Sequence, residues 1–225
     1  MKVLILAATK MEVSPFLLQF KFLKKQFPHL QLVCAETGVG MLLSALKTIR
    51  LCEKNRPDFV IQVGIAGSFL PKNSLAQTYA IQSETLGDTG VWENGHWLDL
   101  FDLKLADSNK SPFNNRQVLN KKIQSVNLLK LPLAKSLSVN QITTGTKNKA
   151  AVQAKYGVDL ESMEDIAVHL VCNHLKIPFI QLRTVSNIVG ERDKTKWKMQ
   201  EAINHLNITL VNYLDALNKK AAKRK

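Results

Sequence analysis

Apolar residues fall along the chain in two patterns. "KVLILAA", "LQLVCAE", "DFVIQVG", "TYAIQSET" and "PFIQLRTVSNIV" are short, almost continuous apolar runs, the third bounded by Pro57 and Gly64. They read as strands buried on both faces. Between them "GMLLSALKTIRLCEK" places apolar residues three and four apart, and "KNKAAVQAKY", "EDIAVHLVCNHLK" and a stretch from about Thr195 to Leu217 have helical character. In "SPFLLQFKFLKKQF", Ser14 is expected to cap a helix and Pro15 to take its first position. The middle, "LGDTGVWENGHWLDLFDLKL", carries turn signals at Gly87, Asp88, Gly90 and Asn94-Gly95 with Trp92 and Trp97 on either side. "LAKSLSVNQITTG" then returns to strand character before "VDLESM". Strands alternating with helices predict a single α/β domain with a mixed, mostly parallel central sheet, open or partly closed, flanked by helices.

Composition narrows the class. A chain of 225 residues, 45% hydrophobic, can close one substantial core. It has no long uncharged apolar run, and "MKVLILAATKMEV" breaks at Thr9 and Lys10 without a small-residue cleavage site. The expectation is a cytoplasmic protein without a membrane association. Cys34, Cys52 and Cys172 have no paired spacing, and the histidines (His29, His96, His169, His174 and His205) form no ligand pattern, so no metal is expected. His169 shares a helix face with Cys172 and is expected half buried, whereas His29 and His205 read as surface residues. The net charge of +13 is concentrated in "KFLKKQF", in "NKSPFNNRQVLNKKIQSVNLLK" and in the tail "NKKAAKRK". A solvated tail and a field that steers anionic substrates both account for it.

In sheets of this kind, sites gather beyond the carboxyl ends of strands. Four stretches occupy such exits: Met11-Glu12, "GIAGS" around Ala66 and Gly67, Ser162-Met163-Glu164, and Ser186-Asn187. Each has a plain structural reading. Glu12 and Glu164 suit the first turn of a helix, Gly64 and Gly67 a tight strand exit, and Asn187 a turn. Together they offer two carboxylates, an amide and bare backbone, a set able to activate water and hold a sugar and a heterocycle.

"ATKMEV", "QVGIAGS", "ESMEDIAVHLVC" and "IQLRTVSNIVGERDKTKW" resemble the nucleoside phosphorylase and nucleosidase superfamily, and within it the futalosine hydrolases of menaquinone biosynthesis. The resemblance runs from Lys2 to about Leu217. It implies a nucleosidase-like catalytic domain over residues 1–217, with 218–225 as a basic C-terminal tail, needing no cofactor and forming at least a homodimer. It also implies roles: Glu12 activates the attacking water, Met163 lines the ribose, Glu164 grips the ribose hydroxyls, Ala66 and Gly67 border the base, and Asn187 faces the purine. Relatives acting on methylthioadenosine or adenosylhomocysteine carry Ser-Asp where this chain has Ser186-Asn187. An asparagine amide can address the N7 and O6 acceptors of a 6-oxopurine, whereas a 6-aminopurine shows a donor beside N7 that suits aspartate. The implied substrate is therefore futalosine and the released base hypoxanthine. Arg192, after the Gly190 turn, is expected to meet the carboxylate of the substrate's benzoate-bearing 5′ extension, with Trp197 beside it. Trp92, Trp97 and Phe101 are candidates for stacking on the purine. The chain departs from the family at Asp165, where relatives have a small residue; Asp165 would either perturb Glu164 or sit on the outer face of its helix.

Three other readings compete. A nucleoside phosphorylase would need a phosphate cradle, and "AATKMEV" lacks the early Gly-Asp-Pro-x-Arg signature. A methylthioadenosine/adenosylhomocysteine nucleosidase would share the fold with a different base preference. A nucleic-acid-binding module would explain the charge but not the carboxylates, and no aromatics are interleaved with the basic runs.

Overall fold

The computed structural model describes residues 1–71 and 74–223. In chain order the elements are β1 (Lys2–Ala7), α1 (Lys10–Leu18), α2 (Phe20–Gln26), β2 (Gln31–Glu36), α3 (Met41–Asn55), β3 (Phe59–Ser68), β4 (Thr78–Leu86), β5 (Gly90–Glu93), β6 (His96–Asp99), β7 (Gln117–Leu119), α4 (Ile123–Val126), β8 (Leu133–Ser138), α5 (Thr146–Tyr156), β9 (Leu160–Ser162), α6 (Asp165–His174), β10 (Phe179–Ile188) and α7 (Met199–Ala222). Each strand and long helix read from the apolar pattern is present. Short β7 and α4, inside the basic middle segment, carry too few periodic positions to announce themselves.

Two parallel blocks make the main sheet. One runs β2-β1-β3-β10 and the other β4-β8-β9. They meet at two antiparallel seams, β10 with β4 and β3 with β9, while β10 also pairs with β3. Strands β3, β10, β4, β8 and β9 therefore close into a ring, and β1 and β2 extend from it as an open wing. The sheet is mixed and partly closed rather than a simple parallel layer.

The strands are apolar throughout because both faces are covered. Val3, Ile5 and Ala7 pack with Phe16, Leu206, Leu210 and Tyr213 from α1 and α7. Leu4 and Leu6 point the other way, to Cys52 of α3 and to Val168 and Cys172 of α6. His169 is wholly buried, not half buried, edge-on to Phe179, and burial pulls its pKa down to about 3, so it is neutral. Among the described residues no helix is long and apolar enough to cross a membrane.

Local chemistry moved several boundaries. The first helix begins at Lys10, with Thr9 as the cap and Pro15 inside it, not at Ser14. A proline there removes one backbone donor and obstructs the preceding turn. Ser14 Oγ donates to the carbonyl of Met11, the group that loses its partner to Pro15. One residue on, Asn207 of α7 enters the break: its Oδ1 accepts from Phe16 N at 3.1 Å and its Nδ2 donates to Glu12 O at 2.8 Å. The final helix starts at Met199, after a 3-10 turn at Lys194–Lys196 capped by Asp193, and continues to Ala222. Residues 218–222, expected in a separate tail, are its last turns; Arg224 and Lys225 lie outside the described residues.

In α3 the apolar stripe faces outward. Ser44, Thr48 and Cys52 are buried, while Leu42, Leu43, Leu46 and Ile49 are exposed. Small residues on the inner face let α3 lie close to its neighbours, and among the described residues nothing covers the larger side chains.

Asn207→Leu should destabilise the protein by about 2–4 kcal/mol, because it strands the Phe16 N–H and Glu12 carbonyl in a buried place. Urea unfolding measures this; a change below about 0.5 kcal/mol would mean that the helix break closes by other means.

Candidate active site

A pocket of about 260 Å³ opens at the carboxyl ends of β1, β3 and β10. Its lining includes Glu12, Ala66, Gly67, Met163, Glu164, Asn187 and Arg192, so every residue singled out for the site borders one cavity. Trp197 lines it too, whereas Trp92 and Trp97 line a neighbouring cleft and Phe101 is buried elsewhere against Phe113. Residues far apart in sequence meet here because the strands that carry them are neighbours in the ring.

Glu12 is the third residue of α1 and is buried. Its Oε2 accepts from Thr9 N at 3.0 Å and Thr9 Oγ1 at 3.1 Å, and its Oε1 accepts from Ile65 N at 3.1 Å. The first-turn role and the site role coincide: the capping bonds hold the carboxylate still. Thr9 occupies both lone pairs of Oε2, and Oε1 keeps one to spare for a water molecule.

Glu164 precedes α6. Its Oε1 accepts from Gly40 N at 3.2 Å, and Oε2 lies 4.0 Å from Arg183 Nη2. Gly40 has φ +93°, a conformation that excludes most side chains, so the "TGVG" turn after β2 is shaped to aim that N–H. Burial raises the Glu164 pKa to about 7 despite the attraction of Arg183.

Arg183, on β10, was not singled out from sequence, and it organises the whole site. It is fully buried, pairs with Asp165 through both Nε (2.8 Å to Oδ2) and Nη2, and places Nη1 3.8 Å from Glu12 Oε1. Burial alone would pull the guanidinium down, but Asp165, Glu12 and Glu164 together hold it above its ordinary value. Room for it comes from Gly64: a Cβ there would stand 1.5 Å from Nη1 and 2.8 Å from Glu12 Oε1. Gly64 and Gly67 are therefore not a strand exit, because β3 continues through "GIAGS" to Ser68; they are bare strand positions that let side chains cross.

Asp165 is likewise corrected. It is neither an outer-face residue nor chiefly a perturber of Glu164, but the fully buried counter-ion of Arg183, with Gln62 Nε2 donating to it at 3.1 Å. Behind it Glu84 accepts from Ser138 Oγ and Gln181 Nε2, and burial with the nearby Asp165 drives its pKa well up.

Asn187 is half buried, its Oδ1 accepting from Ser186 Oγ at 2.8 Å and its Nδ2 donating to Ile188 O at 3.2 Å. The first bond orients the amide so that its NH₂ points away from Ser186. A bulge in β10 between Val185 and Asn187 sets Asn187 opposite Gly67. Arg192 is exposed at the pocket's edge with its guanidinium 5.6 Å from the Trp197 ring, and the Trp197 indole N–H donates to Glu191 O.

Comparison with known proteins fits this geometry. The profile of the phosphorylase superfamily matches residues 4–216. The chain belongs to the phosphorylase superfamily. Over 208 residues it is 27% identical to a futalosine hydrolase of Thermus thermophilus, covering 90% of this chain and 91% of that one. It is 26% identical over 213 residues to an aminodeoxyfutalosine nucleosidase of Campylobacter jejuni, covering 85% and 88%. The fold matches a crystal structure of the 5'-methylthioadenosine/S-adenosylhomocysteine nucleosidase of Campylobacter jejuni, with TM-score 0.73 and 22% identity over 97% of this chain and 99% of that one. These relatives bear out the family resemblance read from the four motifs.

The raised Glu164 carboxyl makes a stability prediction. Its pKa is about 7 in the fold against 4.5 as the ordinary value. The folded state therefore holds the proton more tightly, and stability falls as pH rises from about 4.5 to 7. Glu164→Gln should stabilise the protein by about 1–3 kcal/mol at pH 8 and give no comparable gain at pH 4.5. Urea unfolding at the two pH values checks it; a gain independent of pH would contradict the assignment.

Proposed function

We propose that this enzyme, a nucleosidase by family and relatives, hydrolyses the N-glycosidic bond of futalosine, releasing hypoxanthine and dehypoxanthine futalosine in menaquinone biosynthesis. The observation that carries the reading is the pairing of Glu12 and Glu164 across one pocket that also holds Asn187. Breaking the bond between C1′ and the base nitrogen sends an electron pair to the base and leaves positive charge on the sugar. Carboxylates on the sugar side and donors on the base side lower that barrier. Glu12 takes a proton from the water that attacks C1′. Glu164, once ionised, accepts from ribose hydroxyls, Met163 lies along the ring, and the backbone at Ala66 and Gly67 borders the base. Asn187 donates to the N7 and O6 edge, and the base departs taking a proton from solvent water, which balances the one that Glu12 removes from the attacking water and later returns to solvent. Phosphate is a poor nucleophile for such a site: Glu12, Glu161, Glu164 and Glu191 line the pocket, and Arg192 is the arginine or lysine among its lining residues.

The exposed stripe Leu42, Leu43, Leu46 and Ile49, with Val39 and Met11 exposed beside the pocket, supports a homodimer built on α3. The occupied face would then lie next to the ribose end of the site.

Glu12→Gln should leave folding and substrate binding intact and lower turnover of futalosine about a hundredfold or more. Near-normal turnover in the folded variant would remove Glu12 as the base. Arg192→Ala should raise KM for futalosine far more than for inosine, which lacks the carboxylate, and added salt should narrow the difference. Parallel kinetics on the two substrates check this; equal losses would assign Arg192 to the common nucleoside site.

A further inference from the structure

Helix α6 opens with two acids that are turned away from the helix. Glu164 occupies the N-cap position and Asp165 the first helical one, yet the Glu164 side chain makes no capping bond. Glu164 reaches instead to Gly40 N and borders the pocket, while Asp165 is taken up by Arg183 and Gln62. Glutamate is in any case not among the side chains that cap well, which are Ser, Thr, Asp and Asn. The first-turn amides of a helix have no partner within it, and at this end they are out of reach of water: Ile166 is 1% exposed. An acceptor from outside the helix has to meet them.

That acceptor is Ser138, the last residue of β8. Ile166 N donates to Ser138 Oγ at 2.9 Å, the bond that a serine at the N-cap position would make to the second helical residue. A serine hydroxyl has one hydrogen to give. Ser138 gives it to Glu84 Oε2 at 2.8 Å, which turns the lone pairs of Oγ toward α6. Glu84 Oε1 is held in turn by Gln181 Nε2 at 3.0 Å, and Ser138, Glu84 and Gln181 are all fully buried. Gln181 and Arg183 stand two apart on β10 and so share a face of the sheet. One strand thus pins the start of α6 twice, at Asp165 through Arg183 and at Ile166 through Glu84 and Ser138.

We propose that Ser138, oriented by Glu84, is a positioning residue for Glu164: by capping α6 from a neighbouring strand it leaves the Glu164 carboxylate free to accept from the ribose hydroxyls. The inference rests on the proposed nucleosidase reading, in which Glu164 holds the ribose. Without the Ser138 hydroxyl the Ile166 N–H is stranded in a dry place, and a buried unpaired donor is unfavourable. Glu164 is then the acceptor that the N-cap position itself offers, next to the positive end of the helix. A carboxylate drawn back onto the helix is lost to the sugar.

Kinetics on inosine and on 2′,3′-dideoxyinosine, which lacks both hydroxyls, separate this role from a general loss of structure. Wild-type protein should favour inosine. Ser138→Ala should lower kcat/KM for inosine about tenfold or more and leave dideoxyinosine within about threefold. In a Glu164→Ala background the same substitution should change inosine turnover by less than about twofold, because the residue through which it acts is gone. Glu84→Gln keeps an oxygen to accept from Ser138 and should stay within about threefold of wild type on both substrates. If Ser138→Ala does not fold, Ser138→Cys, of similar volume and with a weak acceptor, should show the same split between the substrates. Equal losses on the two substrates, or a loss that persists in Glu164→Ala, would overturn the positioning role, as would a loss in Glu84→Gln as large as that in Ser138→Ala. Amide exchange on the wild-type protein reads the cap without turnover: Ile166 N–H should be protected, and exchange at the rate of a free amide would contradict the cap. Wild-type protein that cleaves neither nucleoside but protects Ile166 would sink the hydrolysis reading and leave the cap standing; cleavage of both equally well would overturn the role proposed for Ser138.

Discussion

The buried ion pair between Arg183 and Asp165 is the interaction on which the site depends. Three acids, Glu12, Glu164 and Asp165, converge in a region of low exposure, and without a cation they would repel one another. Arg183 supplies that charge from beneath the pocket floor. Its two contacts with Asp165 fix the plane of the guanidinium, and the remaining nitrogen lies toward Glu12. Removing either member of such a pair leaves an uncompensated buried charge, at a cost of about 3–5 kcal/mol. The pair therefore sets the stability of the floor on which the groups above it rest.

Glycine determines where the side chains can cross. Gly64 makes room for the guanidinium, and Gly67 leaves space beside Asn187 and Val189. Both lie in β3, the strand common to the open wing and the closed ring. The ring is what brings β9 and β10 to opposite sides of β3, and so places sugar-side and base-side residues around one cavity. Helix α1, opened by Pro15 and bridged by Asn207, carries Glu12 to the same point from outside the sheet.

Much of this was legible in the sequence. The all-apolar runs gave the strands, since both faces of the sheet are covered, and the family motifs drew attention to Glu12, Met163, Glu164 and Asn187. What was missed has a common cause: it depends on long-range pairing. Ring closure is written in no single segment. The "GIAGS" glycines read locally as a tight strand exit, and only their neighbours on β10 show why they are strand residues. Arg183 did leave a signal, being a lone charge inside "FIQLRTV"; a fully buried arginine demands a counter-ion, and Asp165, the one residue that departed from the family pattern, is it. The stripe on α3 was read correctly as periodic, but periodicity does not reveal which side of a helix the chain itself covers.

Consumption of Arg183's charge by carboxylates also bears on the nucleophile. The cation nearest the reacting region is already bound on Asp165 and faces Glu12 and Glu164, so it cannot cradle an incoming dianion, whereas a neutral water fits beside Glu12. The central claim is that this arrangement delivers water and not phosphate to the anomeric carbon. Mass spectrometry of the sugar product formed from futalosine in H₂¹⁸O containing excess phosphate tests it directly: the account predicts one ¹⁸O at C1′ and no phosphate ester, and a 1-phosphorylated sugar product would contradict it.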